Sequence, residues 1–507
     1  MSQKKEKEEN HQKEQDSKNS AELFSETDVL KPSTEEENLG METFSEYSWS
    51  EDAWKNLAKE DPDAPFKNRE FGEEMVTEQG DTLPQAYRRY PRIFVEEHHA
   101  GRYGLKVLRS KRMILVTDME ITPEILNLQK AADAAYPQLC EYFRVPEDET
   151  WNFTAFLMSS NIPFMESGYL PGILPSFKDG FAFNYDCWLY DQPSNYYRQH
   201  LLLHEMVHCF MLTVLGKTGP LWMTEGYAEF FGMHDMSTEQ VKLGFMPPNK
   251  EAVPYCARIR ELREVVAAGR GRTFQEVFDM NYREFPNNEV YIWSWALMWF
   301  LNNHPDTSVP LRQLGCGLPQ RSADGTQITQ EFFASLGKNL SKIEKHWMMY
   351  VAALEYGFPL SPMLFDATQG VSLNSGEKKV VLVQADKGWQ NTGVKVKKGD
   401  VIRLRALGNY KLSAPDEKTW SCEPGGISLS FYRGNPRGIL LAAICPDEML
   451  PEYFRECSST SFFAPVSVGL HKVIEIPFSG TLMVQINDVP VNFPGNSGSL
   501  KVEIMQK

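Results

Sequence analysis

The first sixty or so residues are rich in Lys, Glu, Asn and Ser, and apolar positions among them are scarce. Such a stretch cannot bury enough surface to offset its ordering entropy, so residues 1–65 are expected to form a disordered charged tail. Order is expected from about Tyr90. Lys111–Thr117 and Phe153–Met158 are apolar runs of strand length. Pro123–Phe143 repeats apolar residues at helical spacing behind Thr122, whose hydroxyl can cap a helix start. A Gly- and Pro-rich loop over 159–180 leads into a further strand at Phe181–Tyr190. From Tyr196 to about Gly357 the period is helical, with segments at 198–215, 222–233, 254–268, 289–303 and 340–355. After Pro362 the texture becomes short β-type runs at 380–383, 394–396, 401–404, 427–431 and 482–486, split by turns such as Lys398-Gly399-Asp400 and Ser479-Gly480. The pattern predicts an α+β fold: an N-terminal α+β part (66–196), a helical part (197–365) and an antiparallel β-sandwich (370–507).

Composition narrows the function classes. Apolar residues make up 42% and charged residues 24% of the 507, ordinary for a globular chain. The 52 Lys and Arg against 68 Asp and Glu give a net charge of −16, which argues against sequence-independent nucleic-acid binding. No uninterrupted apolar run is long enough to predict a transmembrane helix. Met1–Ser20 lacks the apolar core of a secretory signal, so a cytoplasmic location is expected, or a secreted one if the true start or export route differs. The eight cysteines are scattered without a CxxC pair; Cys422, Cys445 and Cys457 allow either a disulfide or buried thiols.

The chemistry is concentrated in Leu201-Leu-Leu-His-Glu-Met-Val-His208. On a helix His204 and His208 lie one turn apart on one face, where two imidazoles can bind one metal ion. Glu205, beside the first histidine, is placed to act as a general base. Seventeen residues beyond His208, Glu225 lies in Pro220-Leu-Trp-Met-Thr-Glu-Gly-Tyr-Ala-Glu-Phe-Phe231. A turn at Gly216 and Gly219-Pro220 lets two helices converge and bring Glu225 to the histidines as a third ligand. Glu229, one turn on, can accept the free N–H of a ligating histidine. Two histidines, a carboxylate and an open position match a catalytic zinc site.

His204-Glu-Met-Val-His208 followed by Trp222-Met-Thr-Glu-Gly-Tyr-Ala-Glu229 resembles the gluzincin metallopeptidases, in particular their peptidase-MA-like branch, over about residues 105–360. The resemblance implies zinc held by His204, His208 and Glu225, with Glu205 as general base and Glu229 supporting a ligand. Glu289-Val-Tyr-Ile-Trp-Ser-Trp-Ala-Leu-Met-Trp-Phe-Leu301 is similar to the helix that opens with a transition-state tyrosine in aminopeptidase relatives, which gives Tyr291 the role of oxyanion donor. The Gly-x-Met-Glu-Asn element of those relatives has only a partial counterpart in Phe164-Met-Glu-Ser-Gly168, so endopeptidase rather than aminopeptidase activity is expected. The strand near Gly180 to Tyr190 is expected to pair with an extended peptide substrate.

Gly399-Asp-Val-Ile402, Gly469-Leu-His-Lys-Val473, Gly480-Thr-Leu-Met-Val-Gln-Ile-Asn-Asp-Val-Pro490 and Gly495-Asn-Ser-Gly-Ser499 resemble the galactophilic PA-I-type lectin over about 375–505. That resemblance implies calcium holding a sugar's hydroxyls, with Asp488 and Asn496 on ligand positions. It departs at Gly495, Asn492 and Leu412, so a structural or protein-docking sandwich stands beside calcium and carbohydrate binding. The expected function is a zinc metallopeptidase acting on a peptide or protein substrate. Its alternative is a carbohydrate- or protein-binding protein on a zinc-stabilised scaffold; hydrolysis of a non-peptide amide or ester is a third possibility.

Overall fold

A five-stranded mixed sheet opens the ordered part of the chain, its strands arranged β1-β2-β3-β5-β4. They are β1 (Lys106–Arg109), β2 (Met113–Thr117), β3 (Phe153–Met158), β4 (Gly180–Phe183) and β5 (Asp186–Tyr190). The structure is a computed structural model and describes residues 92–507, apart from 173, 175–176, 236–240, 282–287, 322–323, 414–418 and 457–458. The expected tail at 1–65 therefore lies outside the described residues. β2, β3 and β5 run parallel, while β1 and β4 pair antiparallel at the edges. β3 is buried along its whole length because both faces are covered. Phe153, Ala155 and Leu157 enter the main core, and Phe156 and Met158 pack with Ile93, Val95 and Tyr169 on the other side.

The strand expected at Phe181–Tyr190 is a hairpin instead. Asn184 turns the chain at φ 54°, a left-handed conformation that asparagine tolerates. Helix α1 (Pro123–Phe143) starts as expected, with the Thr122 hydroxyl accepting from the Ile125 N–H and Pro123 in the first turn. The helical lobe follows: α2 (Asn195–Phe210), α3 (Leu221–Gly232), α4 (Arg258–Ala267), α5 (Glu289–Asn303), Ser308–Cys316, Gly325–Leu336 and Leu340–Ala353. The helices at Ser308–Cys316 and Gly325–Leu336 were not anticipated from the sequence.

Two facing six-stranded sheets form the carboxyl-terminal domain. Pairing is antiparallel except where Val371–Ser372 lies parallel to Gln390–Val396. In strand Asn435–Pro446, Leu440, Ala442 and Ile444 point into the core between the sheets. The alternate residues Leu441, Ala443 and Cys445, with Met483 of the neighbouring strand, join the core of the helical lobe. The domain is thus seated on the lobe through the outer face of strands Asn435–Pro446 and Gly480–Ile486. Cys422 and Cys445 are free thiols, as is every described cysteine; Cys457 lies outside the described residues.

Candidate metal centre

Ser194 begins α2, its hydroxyl accepting from the Tyr197 N–H at 3.0 Å. The helix packs beneath the sheet, and almost every side chain from Tyr196 to Phe210 is buried. A π-helical segment Met211–Leu215 ends at Gly216, which takes a left-handed conformation, and Pro220 starts α3. Two glycines let α3 approach its neighbours. A Cβ on Gly226 would meet Met298 Cε of α5 at 2.9 Å, and one on Gly232 would meet His200 Cε1 of α2 at 2.9 Å.

This close packing brings the expected residues together. His204 Nε2 lies 3.4 Å from Glu225 Oε2, and His208 Nε2 lies 3.7 Å from the same oxygen. The two Nε2 atoms are 3.0 Å apart. Ligands held about 2.0–2.1 Å from a tetrahedral ion are separated by about 3.3 Å, so the triangle has the size of three corners of a zinc coordination shell. The His204 Nδ1, on the far side of its ring, faces Glu229 Oε1 at 3.3 Å. A carboxylate there favours the proton on Nδ1 and leaves Nε2 as the ligand atom. The Tyr291 ring stands 6.0 Å from that of His204, centroid to centroid.

Glu205, Glu225 and Glu229 are 4%, 5% and 1% exposed, so three carboxylates are buried together. One buried guanidinium accompanies them. Arg258, at the start of α4, donates from Nε to Glu229 Oε2 at 2.7 Å and from Nη2 to Glu229 Oε1 at 2.9 Å. The balance leaves two negative charges for the histidines or a divalent cation to offset. The protonation equilibria register this demand. Burial disfavours a charged His204, yet Glu225 and Glu229 raise its pKa to about 10. Burial also opposes the charge on Glu225, but His208 and His204 hold that carboxylate far below its usual range. For Glu205 burial prevails over the histidines and raises the pKa, the direction a general base requires.

Edge strand β4 closes over Glu205. A Cβ on Gly180 would fall 2.5 Å from Glu205 Oε1 and 3.1 Å from its Cδ, so only glycine leaves the carboxylate room. Phe164, in the partial aminopeptidase element, is a core residue beside β3.

Sequence reasoning missed three participants. Arg258 belongs to no motif and follows Glu229 by 29 residues, so only the fold reveals it. His200 was legible as the residue one turn before His204. It stacks on Tyr197 and sits 3.6 Å from Glu229. Gly180 lies in a stretch whose glycines looked like ordinary loop residues.

In the carboxyl-terminal domain Asp488 and Asn496 do meet, with Asn496 Nδ2 donating to Asp488 Oδ2 at 3.0 Å. A guanidinium joins them, as Arg437 Nε donates to Asp488 Oδ1 at 2.7 Å.

No curated protein matches the chain. Among solved structures, a chain titled "EclA N-terminal domain; PllA-like lectin" is 22% identical, with 25% of this chain and 96% of that chain covered and a TM-score of 0.19. Residues 376–507 match the family model described as PA-IL-like protein, so the carboxyl-terminal domain of this chain is PA-IL-like and lectin-like.

Proposed function

We propose that the chain is a zinc-dependent metallopeptidase that cleaves within polypeptides, its catalytic part similar to the gluzincins. The observation that carries this reading is the triangle of His204, His208 and Glu225, buried except at His208, which is partly exposed, with the Glu205 carboxylate beside it under an edge strand. An ion held by that triangle would supply Lewis acidity, polarising a carbonyl and acidifying a water. The chain's own residues do the rest. β4, the terminal strand of the sheet, lies against Glu205 and aligns an extended substrate beside it. Glu205 takes the proton from the attacking water and hands it to the leaving nitrogen. The Tyr291 phenol donates to the oxyanion as charge develops there. Glu229, clamped by Arg258, keeps His204 in its ligating tautomer and orientation.

Replacing Glu205 with Gln tests the assignment. The variant should retain zinc and its fold yet lose cleavage of protein substrates; wild-type turnover would exclude Glu205 as the base. The lectin-like domain makes carbohydrate a candidate partner, and a scaffold that only binds is the competing reading. The buried Glu205 favours catalysis, because binding alone gives no return for keeping a third carboxylate desolvated beside the triangle.

A further inference from the structure

The lectin resemblance implies a calcium ion with Asp488 and Asn496 on ligand positions, the other family positions falling at Gly495, Asn492 and near Leu412, and a sugar's hydroxyls held by the ion. The residues present do not fit such an ion. Asp488 is fully buried, and Arg437 is only 7% exposed. Besides its bond to Asp488, Arg437 donates from Nη2 to the Ser413 carbonyl at 3.1 Å. The guanidinium thus engages a carboxylate and a main-chain oxygen at the place where the resemblance puts a cation. Asn496 is also committed: Oδ1 accepts from the Ser413 N–H at 2.7 Å, and Nδ2 donates to Asp488 and to the Ala385 carbonyl. Calcium needs six to eight oxygens, and here the main anionic one is already neutralised by a fixed positive charge.

A second, independent observation concerns the loop itself. Pro490–Gly495, which carries the remaining ligand positions, packs against Leu360–Met363 of the helical lobe, and its Phe493 belongs to the lobe's core. Beside it, the Asn487 side chain holds the turn at 432–436 through three carbonyls, those of Tyr432, Asn435 and Pro436. That turn grips the carboxyl end of helix Leu340–Ala353. Tyr432 donates to Glu355 at 2.7 Å, and Arg433 caps the free carbonyls of Ala352, Ala353 and Leu354.

From these two observations we infer that the ligand edge of the sandwich has become an internal joint: Arg437 stands in the ion's place, and the 487–496 segment clamps the helical lobe. The domain is then a calcium-independent, fixed part of the hydrolase and not a sugar-binding appendage that moves on its own. Adding calcium to about 10 mM, enough to fill even weak extracellular-type sites, to the zinc-saturated full chain should leave its melting temperature unchanged. It should also confer no retention on a galactose resin. A calcium-dependent rise in melting temperature, or calcium-dependent retention, overturns the inference.

Arg437→Gln should lower the melting temperature by leaving Asp488 unpaired, and Arg437→Gln with Asp488→Asn should recover part of the loss; an unchanged melt for the single variant overturns the proposed role of Arg437. If the single variant fails to fold, the wild-type calcium and resin measurements still decide. Calorimetry of the full chain reads the joint directly. A single transition for lobe and sandwich is expected, and two independent transitions overturn it.

Discussion

Glu229 offers the sharpest separation of stability from metal binding. Glu229→Gln keeps the side chain's shape and removes its charge, so Arg258 loses its two charge-assisted bonds at 2.7 and 2.9 Å and keeps only the longer one to Glu261 Oε2 at 3.3 Å. Breaking one side of a buried ion pair costs about 3–5 kcal/mol, so the metal-free variant should melt well below wild type. Metal affinity falls for two reasons of the same sign. The His204 Nδ1, 3.3 Å from Glu229, loses its anionic acceptor, and the stranded guanidinium repels a cation in the adjacent triangle. Loss of an outer partner of a ligating histidine weakens metal binding by about 10–100-fold, equivalent to about 1.4–2.7 kcal/mol. Competition with a chromophoric chelator measures the affinity, and thermal melts of the metal-free protein measure the stability. Adding Arg258→Met to Glu229→Gln removes the stranded charge. It should restore most of the melting temperature but only part of the affinity, because the neutral amide still supports His204 poorly. Wild-type zinc affinity in Glu229→Gln would refute the argument that this carboxylate orients and charges the histidine.

Three further outcomes follow from the same geometry. Gly180→Ala places a methyl group 2.5 Å from Glu205 Oε1, so it should lower peptide turnover by about 100-fold with zinc content intact, and unchanged turnover would remove β4 from the site. Tyr291→Phe should lower kcat by about 10²–10³-fold with little change in KM, and an unaffected kcat would reduce Tyr291 to a packing residue. His304 and His346, joined by a bond of 2.9 Å, and His234 are buried, and burial holds each pKa down at about 4. The unfolded chain takes up these protons near pH 6.5 and the folded one only near 4. Stability is therefore present above 6.5 and lost as pH falls through that window, by about 2 kcal/mol per histidine at pH 5. Urea midpoints at pH 7 and 5 should show a smaller loss in His346→Gln than in wild type; equal losses would refute this.

How much of this was legible depends on what each residue faces. α5 was read to its observed bounds, and α3 within one residue, since apolar and aromatic residues recur along both over a helical length. The pairing of His204 with His208 was legible too, because a four-residue spacing on a helix fixes geometry without knowledge of the rest of the fold. Arg258 was not, since its place against Glu229 arises only when α4 packs beside α3. The long strand Asn435–Pro446 was missed for a physical reason: Gly438-Ile-Leu-Leu-Ala-Ala-Ile-Cys445 shows no alternation, because both of its faces are covered.

That missing alternation is itself informative. A lectin-like sandwich that stood free in solvent would expose one face of each sheet, and its strands would read apolar-in and polar-out. Val401–Leu407 does so, with Arg403 and Arg405 outward and Ile402 and Leu404 buried. Gly480–Ile486 does not; all seven of its residues are buried, and Met483 faces the helical lobe while Leu482 and Val484 face the sandwich core. The two sheets of one domain thus carry different patterns, and the difference marks the sheet that is seated on the lobe. An apolar face of this extent would draw isolated sandwiches into aggregates. The sequence of the carboxyl-terminal domain is therefore suited to attachment, and cutting the chain near residue 370 should yield two insoluble halves instead of a working hydrolase and a working lectin.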